Sequence, residues 1–120
     1  MLLIMEEKKL LNTASGIDML GGDKSLYQTL ITSFLTENPF DDRYLDSLII
    51  SGKNEEAGSY IHRCKGAAGQ IGAEQLYDAG QAFEDVLKGR KSGDIPSLRA
   101  RFLAVYEATV RELSQYRTQL

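Results

Sequence analysis

Apolar residues recur at steps of three and four along almost the whole chain, and β-branched alternation is nowhere sustained. That period marks helices that bury one face. Leu26, Leu30, Ile31 and Phe34 form a first stripe, opened by Gly21-Gly22 with Asp23 as N-cap and closed at Asn38-Pro39. Leu45, Leu48 and Ile49 form a short second stripe between Asp41-Asp42 and Ser51-Gly52. Asn54 reads as the cap of a third helix, with Glu55 and Glu56 in its first turn, where the helix dipole favours them. Gly72 interrupts the pattern before a stripe at Leu76, Ala79, Gly80, Phe83, Val86 and Leu87. A polar turn runs from Gly89 to Gly93, and Asp94 with Pro96 just inside signals the last helix. Its Leu98, Phe102, Val105, Tyr106, Thr109, Leu113 and Tyr116 predict about six turns. Short polar connections between successive amphipathic helices imply antiparallel neighbours. The expected fold is all-α: an up-and-down antiparallel four-helix bundle with one or two additional short N-terminal helices. Residues 1–15 are expected to be an extension or linker, although Leu10 and Leu11 would equally suit a leading helix; residues 16–120 would form the bundle domain.

The third helix departs from an ordinary amphipathic pattern. With His62 set at zero, Lys65 falls at about −60°, Gly66 at about +40°, Gly69 at about −20° and Ala73 at about +20°. Tyr60, Cys64, Ala68 and Ile71 gather within about 60° of the opposite side, with Ala57 beside them. The imidazole therefore points away from the apolar face, over a patch almost free of side chains. Each glycine within a helix costs about 1 kcal/mol relative to alanine. Close approach of another molecule to His62 is the simplest compensation.

Composition narrows the function. With 120 residues, 42% hydrophobic and 26% charged, the chain suits one globular domain rather than a disordered segment. The net charge is −3, and Lys88, Arg90 and Lys91 are the only tight basic group, which argues against a nucleic-acid surface. One cysteine and one histidine exclude an internal disulfide and a Cys/His zinc set from this chain alone. Cys64, on the buried face, reads as a core residue. The start Met1-Leu2-Leu3-Ile4-Met5 is too short for a signal-peptide core or a membrane span, so a cytoplasmic location is expected, for a free protein or a piece of a membrane-bound parent.

A lone histidine in a helical protein is most often an idle surface residue. Three features move His62 away from that reading: it is not needed for the core, Lys65 stands one turn on, and the glycines clear its surroundings. A nearby cation helps keep a ring nitrogen unprotonated. These properties suit a nucleophile reached by a bulky anionic electrophile such as a phosphoryl group, whose transfer depends on positioning and charge neutralisation. A catalytic triad is disfavoured because no cleft is expected on the outer side of one helix. A metal site is disfavoured because His62 has no second imidazole or thiolate on its face.

The run His62-Arg63-Cys64-Lys65-Gly66-Ala67-Ala68-Gly69-Gln70-Ile71-Gly72-Ala73 resembles the signature of histidine-containing phosphotransfer (HPt) domains, a family of bacterial phosphorelays. Gly21-Gly22-Asp23 with Leu26-Tyr27 and Phe34 resembles the family's opening helix, and Ala79 with Phe83-Glu84 its later one. The resemblance covers about residues 16–115. It implies a bundle in which His62 accepts a phosphoryl group from a receiver-domain aspartate and hands it to another receiver. Lys65 would stabilise the phosphoryl oxygens, and Gly66 would leave room for the partner. Gly69, Gln70, Arg63 and Ser59 complete the expected contact set. No cofactor or metal is expected in the domain; Mg²⁺ belongs to the partner receiver. The domain would be a monomeric carrier rather than an enzyme, free-standing or a module of a hybrid sensor histidine kinase, without nucleic-acid or membrane contact. An alternative is a bundle of the same fold that only docks receivers. Arg63 and Cys64 replace the family's usual hydroxyl residue and leucine; Arg63 would tune partner choice or simply be solvated. Gln70 would orient the imidazole, border the interface or be an ordinary surface amide. Gln81, Glu84 and Lys88 are candidates for a residue of the next helix that approaches the imidazole.

Overall fold

The computed structural model describes residues 7–37 and 39–119, so Asn38 at the end of the first stripe and the apolar residues 1–5 lie outside it. The described residues form six helices and no strand: α1 (Thr13–Asp18), α2 (Lys24–Thr36), α3 (Asp42–Ile50), α4 (Asn54–Gln70), α5 (Glu74–Leu87) and α6 (Ile95–Gln119). Three of them start on the acidic caps read from the sequence. Asp23 accepts from the Leu26 amide at 3.0 Å, Asp41 from those of Arg43 and Tyr44, and Asp94 from that of Ser97. The start of α4 differs from expectation. Lys53 occupies its N-cap position without a side-chain cap, and Asn54 is already helical, with its buried Oδ1 unpaired. One residue of displacement carries that oxygen past the amides it would have capped.

Contacts between the long helices fix their directions. Along α4 and α5, His62 meets Glu84, Lys65 meets Gln81, and Gly69 lies against Tyr77, so the two run antiparallel. Along α2 and α6, Tyr27 packs edge-on to Tyr116 and Phe34 packs against Tyr106, which is antiparallel again. Helix α5 sits between α4 and α6, so α2, α4, α5 and α6 make the up-and-down bundle. Of the two short helices only α1 is N-terminal. Helix α3 joins α2 to α4 and packs on α4, because its nine residues bury only Leu45 and Leu48.

The core contains Ile31, Ile61, Leu76, Phe83, Phe102 and Leu113, all fully buried. Tyr27 is buried with them, and its hydroxyl donates to the Ile71 carbonyl at 2.7 Å. Burial, reinforced by Tyr116, pushes its phenol up to about 12. That bond ties α2 to the end of α4. A second tie comes from the N-terminal segment: the Asn12 amide donates to the Gly72 carbonyl at 2.8 Å, and the Gln75 amide to the Lys9 carbonyl at 3.0 Å. A Cβ on Gly72 would lie 2.3 Å from the Asn12 carbonyl oxygen, and the residue's φ is +77°, so the α4–α5 turn admits glycine alone without rearrangement. A domain boundary after residue 15 falls inside α1, beside Gly16, which packs under the Tyr27 ring.

Candidate functional site

His62 lies midway along α4 with its side chain 60% exposed. Its Nδ1 is 3.0 Å from Oε1 and 3.1 Å from Oε2 of Glu84 on α5. Glu84 itself is 1% exposed. It takes the i+4 place in the inward stripe Gly80, Phe83, Leu87, which carries a carboxylate into the α4–α5 seam. There it meets Lys65 Nζ at 3.1 Å through Oε1 and Arg90 Nη1 at 3.1 Å through Oε2. Burial pushes the Glu84 carboxyl up, but the hydrogen bonds from Lys65 and His62, the Lys65 charge and the Arg90 bond outweigh it and hold the group below the ordinary carboxylate range. An ionised Glu84 can only accept, so Nδ1 carries the ring proton in the neutral imidazole. The lone pair is then left on Nε2.

Lys65 does not stand where the helical wheel puts it. The wheel projects it outward beside His62, yet the residue is 7% exposed, with Nζ 2.7 Å from Gln81 Oε1 and 5.3 Å from the centre of the Tyr77 ring. Its Cα lies at the border of the exposed face, and the long apolar stem folds across to α5 and carries the charge with it. Lys65 and His62 thus meet on a shared carboxylate oxygen rather than side by side in solvent. Of the three α5 candidates, Glu84 reaches the imidazole, Gln81 holds Lys65, and Lys88 lays its stem over Gly58.

Residues 29–118 match the family model of the Hpt domain. The chain belongs to the Hpt domain family. No curated protein and no solved structure gives a significant match. Hpt domains in general carry phosphoryl groups on histidine in phosphorelays and interact with receiver domains; they are carriers more than catalysts. In this Hpt domain no helix among the described residues is long and apolar enough to cross a membrane. Nor do three or more His, Cys, Asp or Glu side chains among them gather as a metal site.

The other residues singled out in this Hpt domain divide into two groups. Gly66 is exposed, and a Cβ there would meet nothing within 4 Å, so the surface next to His62 is open. Ser59 is partly buried one turn before His62. Gly69 is not bare: a Cβ there would lie 3.3 Å from Tyr77, which closes over it while remaining 40% exposed. Arg63 and Gln70 are exposed but turn to the other flank, where they line a groove of about 300 Å³ between α2 and α4 together with Phe34, Tyr60 and Cys64. Arg63 stacks over Tyr60 at 5.7 Å. Gln70 makes no contact with the imidazole. Burial pushes the Cys64 thiol up to about 11 against the pull of Arg63, so it is a poor nucleophile in this groove. Two further residues touch the Lys65–Glu84 pair: Tyr77, which no sequence pattern marks, and Arg90, which the sequence shows only as one of a basic group. The signal for Glu84 was present: a carboxylate in an apolar stripe is a buried charge that requires partners.

Proposed function

We propose that His62 is the phosphoacceptor of a phosphorelay intermediate, taking a phosphoryl group from a receiver-domain aspartate and passing it to a second receiver. The observation that carries this reading is an exposed imidazole whose Nδ1 is held by a buried carboxylate, with Nε2 free above the open surface at Gly66. The Nε2 lone pair forms the N–P bond while the P–O bond to the aspartyl group breaks, and the carboxylate leaves with its electron pair. Nδ1 keeps its proton, so the ring becomes cationic, and Glu84 balances that charge. The reverse steps deliver the phosphoryl group to the next aspartate. The Mg²⁺ and the remaining charge neutralisation are supplied by the receiver, and the domain works as a monomer.

Lys65 keeps a role in this scheme through Glu84. Its ammonium fixes the carboxylate that orients the ring, and it lies close enough to the imidazole to lower the energy of a dianionic group arriving there. Incubation with a phosphorylated receiver tests the proposal. The expected result is acid-labile, base-stable label on the native chain and none on His62→Gln, with the variant still folded and still binding the receiver. Equal labelling of His62→Gln would refute it. Receiver binding without label on the native chain would point to a docking module.

A further inference from the structure

The α5–α6 turn brings a second cation to the site. Arg90 Nη1 lies 3.1 Å from Glu84 Oε2, the same oxygen that is 3.1 Å from His62 Nδ1, so guanidinium and imidazole are no more than about 6 Å apart, a range at which charges still interact. Arg90 is also bound to Asp85 Oδ1 at 3.3 Å, and Lys91 Nζ stands 3.6 Å from Asp85 Oδ2. The turn is therefore pinned onto α5 by two acids. Arg90 remains 52% exposed and His62 60% exposed, so both reach the buried carboxylate from solvent. Positive φ at Gly89 lets the chain leave α5 and fold the arginine back over the carboxylate, and the Arg90 amide donates to the Asp85 carbonyl at 2.8 Å.

A buried carboxylate beside a histidine does two opposed things. It orients the ring, and it also favours a second ring proton, which would cap Nε2 and remove the nucleophile. The groups around His62 decide the balance: Lys65 on α4, Gln81, Glu84 and Asp85 on α5, and Arg90 and Lys91 in the turn. Lys65 and Arg90 both draw on Glu84, one at each oxygen, while Asp85 and Lys91 partly offset one another. We propose that Arg90 is a positioning residue for phosphoryl acceptance: by holding Oε2 of Glu84 it lets the carboxylate orient His62 while limiting its attraction for a proton on Nε2. The inference rests on the phosphoacceptor reading, and it gives Arg90 a role that the open face of α4 alone does not suggest.

His62 is the only histidine, so its ring resonances report the site without ambiguity in an NMR titration of the whole chain. Arg90→Ala should raise the His62 titration midpoint by about half a pH unit, the interaction at this distance being weakened by solvent. Arg90→Lys should restore most of the native midpoint, and Glu84→Gln should lower it. The acid limb of the phosphoryl-acceptance rate, measured with a phosphorylated receiver, should move to higher pH in Arg90→Ala by the same amount. A midpoint unchanged in Arg90→Ala but moved in Glu84→Gln would overturn the proposal, as would a shift that Arg90→Lys does not reverse. The titration needs no phosphoryl transfer. A chain whose midpoint responds to Arg90 but never takes label would thus sink the phosphoacceptor reading while leaving the Arg90–His62 coupling in place.

Discussion

Replacing Glu84 by glutamine keeps the shape of the side chain and removes the charge on which three residues converge. Glu84 and Lys65 have side chains 2% and 8% exposed, so the variant leaves an ammonium in the α4–α5 seam facing an amide. Breaking a buried ion pair from one side costs about 3–5 kcal/mol. Gln81 still holds Lys65 at 2.7 Å, while His62 and Arg90 are exposed enough to return to water. The loss should therefore sit at the lower end, about 3 kcal/mol. A domain of this length has roughly 6–18 kcal/mol in hand, so the variant stays folded and measurable. The pH dependence follows from the lowered carboxyl pKa. Unfolding returns Glu84 to an ordinary value near 4.5, so its contribution is complete above that pH and is lost as pH falls through the lower folded value. Urea titrations of native and variant chains from pH 7 down to pH 2 should show a gap of about 3 kcal/mol that closes in acid. A gap under about 1 kcal/mol at pH 7, or one that persists unchanged in acid, would refute the view that Lys65 depends on an ionised Glu84.

Gly66→Leu should leave the fold intact or raise Tm slightly, since the added side chain meets nothing within 4 Å and leucine favours the helix by about 0.8 kcal/mol. Phosphoryl acceptance from a receiver should nevertheless fall at least about tenfold; normal transfer would contradict close approach at this surface. Tyr27→Phe should cost about 1–2 kcal/mol in chemical denaturation, because the Ile71 carbonyl loses its buried donor. An unchanged midpoint would mean that water replaces the hydroxyl. Cys64 should react slowly with an aromatic disulfide at pH 8, and its rate should still be climbing at pH 10, where an ordinary thiol near 9 has levelled off. A plateau by pH 9 would place the thiol in solvent.

The helices were legible because their signals are local. Stripes of period 3.6 and acidic caps at Asp23, Asp41 and Asp94 act within a few residues of where they are read. The outward direction of His62 follows from helical phase alone. Glu84, by contrast, lies 22 residues away, and which of Gln81, Glu84 and Lys88 faces the imidazole depends on how the Gly72 turn registers α5 against α4. Lys65 was misplaced for a different reason. A wheel locates Cα and not the end of a long stem, and a border residue can send its charge to either side. Arg90 belongs to a turn with no periodicity to read, and its effect depends on Glu84 already being in place. The strap formed by residues 8–12 left no pattern either, since the Glu74 and Gln75 side chains and the backbone groups that hold it lie 60 or more residues further along the chain.

The tight link through Gly72 has a consequence for how such a protein can change over evolutionary time. Imidazole, carboxylate and both cations are borne on two consecutive helices and the turn beyond them, whereas the groove flank is shared with α2. The groups gathered around His62 and the α2 side of the groove thereby lie on separate parts of the chain. On the reading proposed above, substitutions along α2 would reshape the groove and so the choice of receiver, while the cluster of His62, Lys65, Glu84 and Arg90 is inherited unaltered.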